Sequence, residues 1–177
     1  MQQISLSGTG GQGLILAGTI LAEAAILCGQ YAIQTQSYGP EARGGASKAE
    51  VLIDDEAIDY PKVLSADIML TMSQAACDKY IHMLRPGGKL IIDTTFVKDI
   101  PKVDADILAI DITKITKDKL NNIMVANIVA LGILAAFSNT ADKESVITTV
   151  LKRVPKGTEE LNKKAIDLGF SLAESKI

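Results

Sequence analysis

Short apolar segments of strand length alternate along this chain with longer segments of helical pattern, and this order restricts the fold more than any other feature. The strand-like segments are Ile4–Ser7, Tyr31–Tyr38, Ser47–Asp54, Asp67–Thr71, Lys89–Asp93 and Asp106–Ile110. The helical segments are Leu14–Cys28, Ser73–Leu84, Asn121–Phe137, Lys143–Arg153 and Thr158–Ala173. Such an order is typical of a mostly parallel sheet with helices on both faces. We therefore predict a single Rossmann-like α/β domain over residues 1–177.

The composition supports this class and excludes several others. Apolar residues make up 47% of the chain but aromatic residues only 4%, so the core must be aliphatic, as in many parallel sheets. The net charge of −3 and the lack of a Lys/Arg-rich block argue against nucleic-acid binding. The longest apolar stretch is broken by Asn127 and is shorter than the roughly 20 residues of a membrane helix. With no signal-peptide pattern at Met1, we expect a soluble cytoplasmic protein.

Few side chains are suited to catalysis or metal binding. His82 is the only histidine, which argues against hydrolase triads and histidine-based zinc sites. Cys28 and Cys77 form no C-x-x-C pair, so this chain alone is expected to hold no iron–sulfur cluster. Asn127, within an apolar helix, is interpreted as a hydrogen-bonded core residue rather than a ligand. We predict no catalytic residue and no metal ligand.

A glycine-rich turn follows the first predicted strand and opens the first predicted helix. It comprises Gly8, Gly10, Gly11, Gln12 and Gly13, and it matches the G-x-G-x-x-G pattern by which backbone amides approach a pyrophosphate. A dinucleotide site also needs an acidic residue at the end of the second strand, and none is there. Two interpretations stay open: a site for another phosphate-bearing ligand, such as coenzyme A, or a turn that needs glycine only for packing.

A second glycine-containing loop follows the second predicted strand, where a parallel sheet would bring it to the same edge as the first turn. Its candidate residues are Tyr38, Glu41, Arg43, Gly44 and Gly45. A guanidinium between small residues is suited to binding a carboxylate or a phosphate with two hydrogen bonds. Alternatively, Arg43 is an anchor at a subunit interface. Both roles are compatible within one complex.

These two loops resemble those of a known family, the gamma subunits of 2-oxoacid:ferredoxin oxidoreductases. The sequence from Ser37 to Ala46, SYGPEARGGA, is similar to the 2-oxoglutarate branch, whereas the pyruvate branch tends to have a Phe-Gly-Val-Glu-Arg-Arg-Gly loop. Further similarity lies in the segments 58–61, 87–93 and 127–132. The resemblance extends over the whole chain.

The resemblance implies a subunit that is required in a larger enzyme but inactive alone. In this family the complex converts 2-oxoglutarate, coenzyme A and oxidised ferredoxin into succinyl-CoA, CO₂ and reduced ferredoxin. The resemblance implies that alpha and beta subunits, with delta as a further candidate, hold thiamine diphosphate, magnesium and the iron–sulfur clusters. It implies contact with those subunits, a link to ferredoxin through the complex, and a role at the coenzyme A side of the site for the residues of the two loops.

Two alternative functions follow from the sequence. The chain is compatible with the gamma subunit of an oxidoreductase for pyruvate, a branched-chain 2-oxoacid or indolepyruvate, because the substrate pocket is expected mainly in partner subunits. A stand-alone nucleotide- or coenzyme A-binding module is the alternative from a different class. The substrate profile of the purified complex distinguishes the first alternative from an enzyme for 2-oxoglutarate. The behaviour of the isolated chain distinguishes a stand-alone module from an obligate subunit.

Overall fold

A computed structural model describes residues 1–38 and 45–175, with the side chain of Tyr38 excepted. Its strands are β1 (Gln2–Thr9), β2 (Tyr31–Tyr38), β3 (Ala46–Asp54), β4 (Ala66–Thr71), β5 (Leu84–Asp93) and β6 (Ala105–Ile110). They form one sheet in the order β2-β3-β1-β4-β5-β6. Strands β1, β4, β5 and β6 run parallel to one another, whereas β3 is antiparallel to both β1 and β2. The prediction of a mostly parallel α/β sheet is confirmed.

The antiparallel strand β3 determines which ends of β1, β2 and β3 lie at the same edge of the sheet. Strand β3 lies between β2 and β1, and because it is antiparallel to both, β2 and β1 point the same way. The carboxyl ends of β1 and β2 and the start of β3 therefore share one edge of the sheet. Gly8 pairs with Ser47 at this edge, and Ser47 pairs with Tyr38. The predicted common edge of the two glycine-containing loops is present, although β3 separates the strands.

Helices cover the two faces of the sheet unequally. The helices are α1 (Leu14–Leu27), α2 (Gln74–Tyr80), α3 (Ile112–Leu120), α4 (Ala126–Ser138), α5 (Lys143–Arg153) and α6 (Glu159–Glu174). On one face, the larger hydrophobic core joins Ile4 and Leu6 of β1 to α1, α4, α5 and α6. On the other face, the smaller core joins Met69 and Leu90 to α2. No helix among the described residues is long and apolar enough to cross a membrane.

The closest helix packing lies between α4 and α6. A Cβ atom placed on Gly169 would come within 2.9 Å of Gly132 Cα and of Ile133 N, and closer still to Val129 O. One on Gly132 would come within 2.9 Å of Ile166 O. Because these neighbours are backbone atoms, they cannot turn aside as a side chain can. The two glycines therefore set the distance between α4 and α6.

The sequence prediction was wrong about the start of β5, about the existence of α3 and about the start of α4. The residues predicted as a turn before Lys89 belong to β5, because Gly87 donates a 2.8 Å hydrogen bond to Asp104 O and thus extends the pairing with β6. Helix α3 was missed. The predicted helix from Asn121 begins only at Ala126, because Asn121 adopts a left-handed conformation (φ 50°) that ends α3. A 3₁₀ turn, Ile123–Val125, connects the two helices.

The two cysteines differ in burial, and we expect them to differ in reactivity for that reason. Cys77 is fully buried in α2, and burial raises the pKa of its thiol, whereas Cys28 is exposed at the end of α1. Since thiolate is the reactive form, we predict that iodoacetamide labels Cys28 at least about tenfold faster than Cys77. Peptide mass spectrometry of the native full chain measures both rates. Equal labelling in the native chain would contradict the prediction, and equal labelling in urea is the control.

Candidate functional site at the carboxyl edge of the sheet

An apolar cleft of about 170 Å³ lies at the carboxyl edge of the sheet, beside the glycine turn. It forms where the residues that follow β1, β4 and β5 meet the beginnings of α3 and α4. Its lining consists of Gly11, Gln12, Met72, Phe96, Thr113, Ile123, Met124, Ala126 and Asn127. None of these described residues carries a charge. The cleft therefore suits an uncharged, largely apolar group better than a phosphate.

The glycine turn is folded around the side chain of Gln12. Gln12 Oε1 accepts a 2.7 Å hydrogen bond from Thr9 N, and its Nε2 donates a 3.0 Å bond to Met72 O at the end of β4. A Cβ atom on Gly8 would overlap Gln12 Oε1. A larger residue at position 8 would force the Gln12 carboxamide to move, because that carboxamide lies against Gly8. The contact gives Gly8 a packing role, and a ligand at this turn stays a prediction.

Asn127 connects the end of the same turn to α4. Its Nδ2 donates a 3.2 Å hydrogen bond to Gly13 O, and a Cβ atom on Gly13 would lie 2.5 Å from that nitrogen. Gly13 also has a positive φ of 73°, which disfavours any other residue. Asn127 is only 7% exposed, and its Oδ1 has no hydrogen-bond partner among residues 1–38 and 45–175. Within the described part of the chain, the predicted core hydrogen bond is therefore made by one end of this amide only.

The second loop is described only at its two ends. Gly45 O accepts a 3.1 Å hydrogen bond from Gly10 N, so the two glycine-containing loops are in contact. The backbone of Tyr38 ends β2. Glu41, Arg43 and Gly44 lie outside the described residues, and their roles stay predictions.

Sequence reasoning missed most of the apolar lining of the cleft. Met72 and Phe96 follow β4 and β5, so strand order alone could have placed them at the same edge as the glycine turn. Ile123 and Met124 had no such signal, because the interpretation of 121–137 as one continuous helix concealed the 3₁₀ turn between α3 and α4. Met124 is 77% exposed and Ile123 is 53% exposed, which is unusual for such apolar side chains.

The fold and the cleft define a Rossmann-like α/β domain with a glycine turn and an exposed apolar rim at one sheet edge. Residues 3–172 match the model of the pyruvate ferredoxin/flavodoxin oxidoreductase family. The chain therefore belongs to this family, as the resemblance of its two loops predicts.

Individual relatives agree with this assignment. The chain is 48% identical to the 2-oxoglutarate synthase subunit KorC of Methanocaldococcus jannaschii, over 98% of this chain and 94% of that protein. It is 30% identical to the pyruvate/ketoisovalerate oxidoreductases common subunit gamma of Thermococcus litoralis, over 82% and 83% of the two chains. The crystal structure of the keto/oxoacid ferredoxin oxidoreductase gamma subunit from Geobacter sulfurreducens superposes with a TM-score of 0.90 at 45% identity, covering 99% of each chain.

Proposed function

We propose that this chain is the gamma subunit of a 2-oxoglutarate:ferredoxin oxidoreductase and that it acts only within the complex. The observation that carries the proposal is the 48% identity to a 2-oxoglutarate synthase subunit over nearly the whole of both chains. The identity falls to 30% for the pyruvate/ketoisovalerate subunit, which favours 2-oxoglutarate over those acids. The 2-oxoacid is oxidised by the complex, and coenzyme A receives the acyl group.

The exposed apolar rim of the cleft supports a role in assembly. Met124, Ile123 and Phe96 are respectively 77%, 53% and 48% exposed and all line the same cleft. Exposed apolar side chains that cluster in this way are typical of a subunit interface. We propose that this rim contacts the alpha or beta subunit. Thiamine diphosphate, magnesium and the iron–sulfur clusters would then be held by those subunits.

The coenzyme A role is proposed for the second loop rather than for the glycine turn. Arg43 offers the planar two-pronged donor that a phosphate needs, whereas the described lining of the cleft carries no charge. Tyr38, Glu41, Gly44 and Gly45 would support Arg43 or contact a partner chain. We further propose that the complex works in the cytoplasm, in agreement with the unpaired thiols of Cys28 and Cys77.

Affinity purification of the tagged chain from its own cells tests the proposal. We expect larger subunits to co-purify, and we expect coenzyme A-dependent reduction of a low-potential dye with 2-oxoglutarate to exceed that with pyruvate. Equal or higher activity with pyruvate, a branched-chain 2-oxoacid or indolepyruvate would assign another substrate. A monomeric chain that binds nucleotide or coenzyme A without partners would replace the proposal with the stand-alone module.

Matched variants locate the interface. Met124→Lys introduces a charge into the exposed rim and is expected to reduce co-purification of the larger subunits at least about tenfold, because desolvating an unpaired charge is costly. Leu64→Lys is the control: Leu64 is 71% exposed, and its N–H bonds to Gln3 near the opposite edge of the sheet. Similar losses for both variants would contradict an interface at the cleft.

A further inference from the structure

A cluster of exposed apolar side chains surrounds the start of β2, at the edge of the sheet opposite the glycine turn. Met1, Ile26, Leu27 and Tyr31 are each more than half exposed. Two of them meet at Asp54, because Tyr31 pairs with Asp54 in the sheet and the amino group of Met1 lies 3.2 Å from its carboxylate. Their exposed area is on the order of several hundred Å², the range in which an apolar patch marks an interaction site.

Two carboxylates beside this patch have no cation to neutralise them within the described part of the chain. Asp55 and Glu56 follow β3 directly and are exposed, and neither forms an ion pair with a residue in 1–38 or 45–175. Asp55 Oδ1 accepts a 2.9 Å hydrogen bond from Gln30 Nε2, which holds this carboxylate beside the start of β2. Since the Gln30 amide is neutral, the border of the patch keeps its negative charge.

The carboxyl end of α1 adds to the negative potential at the patch. The last carbonyl groups of a helix carry a partial negative charge, which a nearby cation usually offsets. At the end of α4, Lys89 does so by donating a 2.7 Å hydrogen bond to Phe137 O. The last turn of α1, which contains Ile26 and Leu27, has no Lys or Arg. The end of α1 therefore favours a cation from outside its own sequence.

The sign of this charge decides which kind of occupant fits the patch. Symmetric pairing of two copies would bring Asp55 and Glu56 of both copies together, and like charges across an interface cost free energy. A nucleic acid or an anionic lipid surface would be repelled by the same carboxylates. A protein segment that presents Lys or Arg beside apolar side chains complements both the patch and its border.

We propose that the start of β2 is a docking surface for a partner protein segment in which apolar side chains are flanked by Lys or Arg. This surface, termed the β2 corner, comprises Met1, Ile26, Leu27, Tyr31, Asp55 and Glu56. The apolar side chains of the partner cover the patch, while its cations approach the two carboxylates and the end of α1. Because the β2 corner lies at the opposite edge of the sheet from the rim of the cleft, the proposal does not depend on the proposed function.

Two matched peptides test the chemistry of the β2 corner on the isolated full chain. Each forms an amphipathic helix of about four turns with Leu on one face, and the polar face carries Lys in one peptide and Glu in the other. By fluorescence anisotropy, we expect the Lys peptide to bind at least about tenfold more tightly than the Glu peptide, and less tightly as salt screens the charges. Equal affinities, or no binding of the Lys peptide at ~1 mM, would overturn the proposal.

Single substitutions locate the bound peptide. Leu27→Gln removes an apolar group from the patch without a change of charge and should weaken binding of the Lys peptide at least about fivefold. Met124→Gln, in the rim at the other edge, is its control and should change the affinity by less than about twofold. Glu56→Gln should weaken binding about threefold and reduce its salt dependence, whereas Asp118→Asn removes the same charge from α3 and should do neither. Equal losses in a variant and its control would contradict docking at the β2 corner.

Amide NMR of the isotopically labelled full chain locates the peptide independently. On titration with the Lys peptide, we expect the largest saturable shifts at residues 26–31 and 54–56, and smaller shifts at residues 123–127 in the rim of the cleft. Shifts centred outside the β2 corner would overturn the proposal. These measurements need no enzyme complex, so a failure of the proposed function would leave their outcome unaffected.

Discussion

Replacing Gly169 by alanine is expected to lower the free energy of unfolding by about 3 kcal/mol, since an atom inserted between packed backbones forces helices apart. The added methyl group would overlap Val129 O and lie 2.9 Å from both Gly132 Cα and Ile133 N. Moving α6 away would open the core that it shares with α4. Urea denaturation of the full chain, followed by circular dichroism, measures the loss.

The matched control is the same substitution at Gly18, in the interior of α1. A Cβ atom there would meet side chains, at 3.2 Å from Ala49 Cβ and 3.5 Å from Val51 Cγ2. Alanine also favours a helix over glycine by about 1 kcal/mol, so Gly18→Ala is expected to remain within about 1 kcal/mol of the native chain. A loss at Gly169 no larger than that at Gly18 would contradict the close α4–α6 contact.

Asp93→Ala is expected to lower the free energy of unfolding by about 2–3 kcal/mol, because partly buried donors on Thr95 and Thr113 then lose a carboxylate acceptor. Asp93 ends β5 and is fully buried. Its carboxylate accepts from Thr95 N at 3.0 Å, from Thr113 N at 3.3 Å and from Thr113 Oγ1 at 2.6 Å. Since Thr113 lies in the first turn of α3, Asp93 caps this helix from a neighbouring strand.

Asp111→Ala is the control for this prediction. Asp111 occupies the N-cap position of α3 in the sequence, yet its side chain makes no capping hydrogen bond and instead accepts from Thr94 Oγ1 at 2.6 Å. We expect its removal to cost about 1 kcal/mol or less. Urea denaturation compares the two variants, and hydrogen exchange at Thr113 reports on the cap. If Asp111→Ala lowered the free energy of unfolding more than Asp93→Ala, the cap of α3 would belong to Asp111 and not to Asp93.

The elements with strong local signals were predictable. Helix α5 was predicted with its observed bounds, and Asp142 caps it by accepting from Ser145 N at 2.8 Å, three residues away. Strand β2 was also predicted with its observed bounds. Both are specified by nearby residues, so a single sequence contains the information. Helix α3 was missed because its capping carboxylate, Asp93, is 20 residues from Thr113.

At the candidate site, too, the sequence identified residues but did not show which of them are in contact. The sequence identified Gly8 and Gln12, but it could not show that they pack against each other, or that Gln12 also bonds to Met72, 60 residues away. It identified Asn127 as a core amide but not its bond to Gly13, 114 residues away. These contacts join segments far apart in the chain, so a single sequence could not show them.

The sequence by itself determined the α/β class, the family and the edge of the sheet where the two loops meet, since apolar periodicity, glycine position and loop motifs are local properties of a chain. Only the tertiary structure decided the antiparallel direction of β3, the cap of α3, the close contact of α4 with α6 and the hydrogen bond from Gln12 to Met72. Each of these features depends on a hydrogen bond or a van der Waals contact between segments distant in the chain. The local pattern of residues along a single sequence does not show which distant segments will meet.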